Sequence, residues 1–224
     1  MNRALAAFVV ALFPAVAAAH VSVISGPAFA GKNQEITFGV GHGCEGADTV
    51  AVRIEIPAEV ATVRPLPSAF GALSVERDAT DRVVAVSWQK ADADVLDGDE
   101  AYYALTMRVA VPNAPFTRVY FPARQTCRTA DGTTLSTDWI ALPGGEGEAA
   151  PELVVVPARQ PGWNKLTVPV AVDALEAFFA DALIVWKGEA AWSSNPQTTA
   201  QIANTPGVSA LSKLAAGDEI WVRY

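Results

Sequence analysis

The sequence predicts a mainly β chain: an immunoglobulin-like antiparallel β-sandwich followed by a small α/β unit. Three observations carry this. Short runs alternate apolar and polar residues with period two, and Gly, Pro, Asn and Asp break them at fairly regular intervals. No stretch before Arg159 shows a helical period. After Arg159 the pattern changes, and helix-capping residues enter. With 224 residues, 51% of them hydrophobic and 18% charged, the chain can bury a core and is not of disordered composition.

The first nineteen residues read as a signal peptide. Arg3 supplies the positive charge, Ala4 to Val16 a short apolar run, and Ala17-Ala18-Ala19 a small-residue cleavage site. The apolar run is short for a membrane span, which takes about 20 residues. Cleavage after Ala19 is expected to give a periplasmic or secreted protein that begins at His20, with no membrane span in the mature chain.

The sandwich occupies residues 20–157. Val21 to Ile24 is its first short run, broken by Gly26-Pro27 and Gly31-Lys32. Gln34 to Val40 points Ile36, Phe38 and Val40 one way. A glycine-rich loop, Gly41-His42-Gly43-Cys44-Glu45-Gly46, follows. Thr49 to Ile56 turns Val50, Val52, Ile54 and Ile56 inward until Pro57 ends it, and Ala61 to Arg64 is a further short strand. Leu73–Arg77 and Val83–Gln89 form a hairpin around Asp78-Ala79-Thr80-Asp81. Asp92 to Glu100 is an exposed acidic turn that lacks the EF-hand pattern. Tyr102 to Val111 and Arg118 to Gln125 are long strands, the first holding Met107 as a core residue. Thr137 to Leu142 carries Trp139, and Leu153 to Val156 closes a set of eight to ten strands.

Residues 158–224 form the α/β unit. Trp163 to Val168 is a strand, and Asp173 caps a helix bearing Leu175, Phe178, Phe179 and Leu183. Leu183 to Trp186 begins a strand, and Asn195-Pro196 opens a second helix to about Ala203. Ser209 to Leu214 reads as one or two more helical turns, and Glu219 to Tyr224 as the last strand. Four of the six tryptophans, Trp163, Trp186, Trp192 and Trp221, lie here. They read first as the core of a unit too small to stand alone, which is expected to pack on the sandwich. An aromatic binding surface is the sharper alternative.

The net charge of −8 argues against nucleic acid and anionic membranes as partners. The two cysteines, Cys44 and Cys127, are too far apart for a CxxC pair, and in an exported protein they read as a structural disulfide. Two thiolates holding Cu(I) are the alternative. With two histidines, His20 and His42, no site of three imidazoles can form, and no GxSxG, P-loop, dinucleotide or HExxH motif occurs. No catalytic residue is assigned, and the chain is not expected to be an enzyme. His20 matters by position. Cleavage would place a free α-amine beside its imidazole, two nitrogen donors that chelate one ion and suit tetragonal Cu(II). A frayed, incidental terminus is the bland reading.

His20-Val21-Ser22-Val23, the Gly31 turn, His42-Gly43-Cys44-Glu45, the strand Val50 to Pro57, Gln125-Thr126-Cys127 and Trp139 together resemble the YcnI-type copper-binding domain family. The resemblance implies an immunoglobulin-like sandwich that binds one Cu(II) per chain through a monohistidine brace. His20 supplies amine and ring nitrogen, a Glu adds an oxygen, and a Trp lies against the metal. On this sequence those partners are Glu45 and Trp139. Glu45 beside a glycine also reads as a solvated loop charge, and Trp139 as core. His42 either orients its loop or is a second ligand. The expected role is copper storage, delivery or homeostasis, with other envelope copper-handling proteins as partners. A cell-envelope adhesion or protein-interaction module without a metal role is the alternative. A copper oxidase is weaker, because it needs a second imidazole.

Overall fold

The computed structural model describes residues 20–224. The expected signal peptide, residues 1–19, lies outside the described residues. Alternation carries the chain through β1 (Val21–Val23), β2 (Ala28–Phe29), β3 (Asn33–Val40), β4 (Asp48–Glu55), β5 (Ala61–Pro65), β6 (Ala72–Arg77) and β7 (Val83–Gln89). It continues through β8 (Tyr103–Ala110), β9 (Thr117–Tyr120), β10 (Ala123–Arg128), β11 (Thr134–Ala141), β12 (Glu148–Ala149) and β13 (Glu152–Val156). Two sheets, β1-β3-β8-β5 and β12-β11-β10-β4-β7-β6, make the immunoglobulin-like sandwich, and β2-β13-β9 forms a small third sheet. The inward positions of both large sheets meet in one core: Ile36, Phe38, Val52, Ile54, Trp88, Leu105, Met107 and Phe121 are fully buried. The hairpin β6–β7 turns at Asp78–Asp81, as its sequence predicts.

The expected single strand from Arg118 to Gln125 is in fact two. β9 pairs with β13, whereas β10 pairs with β4 and β11. Pro122 marks the crossing, because proline has no N–H to give a continuing ladder. Its carbonyl instead accepts the Glu55 amide at 2.8 Å. This split and two strands of only two residues, β2 and β12, raise the count above that expected.

The C-terminal stretch holds β14 (Trp163–Thr167), α1 (Leu175–Phe179), β15 (Ile184–Lys187), β16 (Ala190–Trp192), α2 (Pro196–Asn204), β17 (Ser209–Ala210) and β18 (Glu219–Arg223). Its sheet order is β14-β18-β15-β16-β17. Asn195 caps α2 by accepting from the Gln197 and Thr198 amides, with Pro196 in the first turn. Asp173 does not cap α1. That short helix starts after Ala174 without a side-chain cap and is held by the burial of Leu175, Phe178 and Phe179, while Leu183 lies beyond it, exposed. Ser209 to Leu214 is not helical. The Ser209 and Leu211 amides reach the Glu189 and Ala191 carbonyls, so sheet pairing takes the hydrogen bonds a helix would need.

This unit packs on the sandwich as expected. The Phe116 ring lies 5.8 Å from Phe178 and 5.5 Å from Phe179, and one buried cluster joins Phe116 and Val156 to Val185, Ile220 and Val222. The tryptophans divide: Trp192 packs on the core, its ring 6.5 Å from Phe179, whereas Trp163 and Trp221 are half exposed, and Phe and aliphatic side chains fill most of the interior. Arg159, in the connection, forks onto the Asp181 carboxylate and covers the rings of Phe29 and Tyr224. Its guanidinium holds the Asp181 carboxyl below the ordinary carboxylate range. A depressed folded pKa contributes stability above the unfolded value, about 3.9, which is lost as pH falls through the folded value. The thermal midpoint of the native chain should therefore fall more steeply below about pH 4 than that of Asp181→Asn. Parallel curves would remove Asp181 from the acid response.

Candidate metal centre

β1 pairs with the end of β3, Val21 opposite Val40, and both side chains are buried. This places exposed His20 at the entry to β1, near the point where β3 runs into the loop of His42. The His20 ring meets the Trp139 indole at 5.4 Å between centroids, tilted by 55°. Trp139 belongs to the core, 2% exposed, on β11. Its Nε1–H donates to Gln125 Oε1 at 3.2 Å. The Gln125 amide nitrogen in turn donates to the His42 carbonyl at 2.6 Å and to Thr49 Oγ1 at 2.8 Å. A buried primary amide is held in one orientation when acceptor and donors are all used. Gln125 thus ties the indole under His20 to the loop that follows β3.

The loop is fixed a second way. Cys44 and Cys127 are disulfide-bonded with Cα atoms 5.7 Å apart, and the Cys44 amide donates to Cys127 Sγ at 2.8 Å. Gly43 admits no side chain, because a Cβ there would stand 1.6 Å from the Ala47 carbonyl oxygen. Glu45, at φ 52°, occupies the left-handed region inside the turn Cys44–Gly46 and is exposed. The turn packs against β10 and β11, the strand that carries Trp139. His42 turns Nδ1 toward Asp99 Oδ2 at 3.5 Å, and the Asp99 amide donates to the Gly46 carbonyl at 3.0 Å.

Of the expected ligand set, the structure brings His20 and Trp139 together and leaves the Glu45 side chain in solvent on the neighbouring turn. His42 is engaged with a carboxylate, in keeping with an orienting role. Both cysteines are consumed by the disulfide, so the alternative of a Cu(I) thiolate pair does not fit. Among the described residues no three His, Cys, Asp or Glu side chains gather as a metal cluster. A brace asks for less: one terminal amine, its own imidazole and one carboxylate. Gln125 and Asp99 join the site only in the folded chain. Gln125 had a signal, since two residues before Cys127 on one strand it must share the inward face, where an amide needs partners.

Residues 20–160 match the family model described as a domain of unknown function, DUF1775. The chain belongs to the DUF1775 family. This is the YcnI-type family of the sequence resemblance. The DUF1775 match spans His20, both cysteines and Trp139. Among solved structures, an uncharacterized Nocardia farcinica protein described as having an immunoglobulin-like fold is 26% identical, covering 61% of this chain and 98% of that one at a TM-score of 0.49. A cohesin–dockerin complex from Clostridium thermocellum is 10% identical over 61% of this chain and 99% of that one, TM-score 0.37. BcpA, the major pilin subunit of Bacillus cereus, is 10% identical over 90% and 54%, TM-score 0.36. No curated protein matches the DUF1775 chain. No helix among the described residues is long and apolar enough to cross a membrane.

Proposed function

We propose that the exported chain, cut after Ala19, binds one Cu(II) through the amine and imidazole of His20, as cargo to be stored or delivered outside the cytoplasm. The observation that carries this is the seating of the His20 ring on a core indole, Trp139, whose orientation is locked by Gln125. A frayed terminus has no such seat. A free α-amine has a pKa of about 7.7–8.0, so a metal displaces its proton at neutral pH. Among first-row divalent ions Cu(II) stands at the top of the affinity order for nitrogen donors. Glu45 is the proposed oxygen donor, and Trp139 the indole beside the ion. Copper-handling envelope proteins are the proposed partners.

The test is Cu(II) titration of the chain starting at His20 beside one carrying a single extra residue before it. One site per chain is expected in the first. The extension should weaken it by at least about 100-fold, roughly 2.7 kcal/mol. Equal affinity would sink the brace. Glu45→Ala and Trp139→Phe should each alter the copper spectrum, and a variant that leaves it unaltered is not part of the site.

A further inference from the structure

The strand that carries His20 is short. β1 has three residues, lies at the edge of its sheet and pairs with β3 alone. On its inner side Val21 and Val23 pack on the core. Its outer side is held differently. Val21 faces Val40, and Val40 faces Tyr103 on β8. One step further along, His20, Gly41 and Tyr102 form a row across the three strands. Gly41 puts no side chain between the other two.

Tyr102 is 58% exposed, yet it lays its ring back over β3. A Cβ on Gly39 would stand 2.0 Å from the Tyr102 hydroxyl oxygen and 3.0 Å from its Cζ. A Cβ on Gly41 would stand 4.0 Å from its Cε2. The two glycines are thus a track for the ring, and a side chain at Gly39 would push it off. The same Cβ position on Gly39 lies 2.9 Å from Cγ2 of Ile24, the residue that follows β1. Ile24 extends the β1 ladder, its amide donating to the Thr37 carbonyl at 2.9 Å. The phenol and the Ile24 side chain therefore come over Gly39 from opposite sides, one from β8 and one from β1.

We infer that Tyr102 is a positioning residue, a clamp across β3 that keeps β1 in its sheet and so seats the His20 ring on Trp139. Its consequence at the metal rests on the proposed copper role. A chain terminus frays unless it is tied down. The amine and imidazole of His20 can chelate from a frayed end, but an ordered end also meets Trp139 and the proposed carboxylate donor. Ordering that end beforehand removes entropy that binding would otherwise lose. Loss of the clamp should show locally, at β1, before it shows in the stability of the whole chain.

The experiment compares the chain beginning at His20 with its Tyr102→Ala, Tyr102→Phe and Gly39→Ala variants. Without metal, it reads exchange of the Ile24 amide and the nuclear Overhauser contact between the His20 and Trp139 rings. With Cu(II), it reads affinity against a competing chelator. Tyr102→Ala should speed Ile24 exchange about tenfold, lose the ring contact and weaken Cu(II) binding about tenfold, a gap of about 1.4 kcal/mol. Gly39→Ala, which evicts the ring by adding one methyl group, should do the same. Tyr102→Phe, which keeps a ring on the glycine track, should restore all three. Far-UV circular dichroism and the denaturation midpoint should stay near native throughout. Native-like exchange and ring contact in Tyr102→Ala would overturn the clamp. Lost contact with unchanged copper affinity would overturn its role at the metal. A midpoint that collapses in both alanine variants would make Tyr102 a general packing residue and overturn the inference as well. A native chain that takes up no copper refutes the proposed function instead, and the metal-free readouts alone then decide the clamp.

Discussion

Replacing Cys44 and Cys127 together by alanine is expected to lower the unfolding free energy by about 4 kcal/mol. The bond joins residues 83 apart in sequence. In the chain-entropy model a closed loop of that length removes about 4.5 kcal/mol of freedom from the unfolded chain. Native-state terms point the same way. Both cysteines are buried, and the Cys44 amide loses its sulfur acceptor in the variant. Urea denaturation of the native chain with and without reductant, beside the double variant, measures this. The midpoint should fall in both the reduced and the substituted protein, and an unchanged midpoint would mean that the bond constrains nothing. The same change frees the turn Cys44–Gly46 from β10. If Glu45 serves copper, its affinity should drop in the folded variant, whereas the ring contact of His20 with Trp139, held through β1 and Gln125, should survive.

The sandwich was legible because its signal is local. Ile36, Phe38 and Val40, or Val50, Val52 and Ile54, show their inward face within one strand, and the structure buries all six. Errors arose where a distant partner decides. Phe121-Pro122 looks like the middle of a strand, but β13 on one side and β4 on the other pull its two halves into different sheets. Ser209 to Leu214 has enough helical character to mislead until Glu189 and Ala191 offer their carbonyls. Composition alone leaves the tail tryptophans between core and aromatic surface; Trp192 packs inward on Phe179, whereas register with β18 turns Trp221 and Trp163 out. At the candidate metal centre, residue types were readable and contacts were not. His20 and the disulfide stood out by position and count. That the His20 ring rests on Trp139 depends on how the β1 sheet closes over β11, which no spacing reveals.

A charged cluster invisible to the same reading supplies the other large effect. Asp48 is fully buried and the Lys90 side chain is 4% exposed, with Nζ 2.5 Å from Asp48 Oδ2 and 2.6 Å from the Tyr103 hydroxyl. That hydroxyl donates to Asp48 Oδ1 at 2.7 Å, and the Leu96 amide donates to Oδ2 at 2.9 Å. Burial, then the neighbouring Asp48, push the Tyr103 pKa up, so the phenol stays a donor through the working range. Lys90→Met keeps the packing against Phe70 and Tyr103 but strands a buried carboxylate, and should cost about 3–5 kcal/mol. Asp48→Asn/Lys90→Met should regain at least half of that, because the amide oxygen still accepts from the Leu96 N–H and the amide NH2 donates to the Tyr103 hydroxyl oxygen that Lys90 vacates, without a charge to compensate. The exposed pair of Arg124 and Asp138 gives the contrast, and Arg124→Met should move the midpoint little. Chemical denaturation of the four proteins decides the matter: a double variant no more stable than Lys90→Met would show that desolvated charge is not the cause. The consequence reaches the candidate site. Leu96 ties the acidic turn to Asp48, and that turn presents Asp99 to His42 and to the Gly46 carbonyl. Lys90→Met should therefore loosen the loop beside His20 before the chain as a whole unfolds, seen as faster amide exchange at Asp99 and Ala47 than in the sheet core.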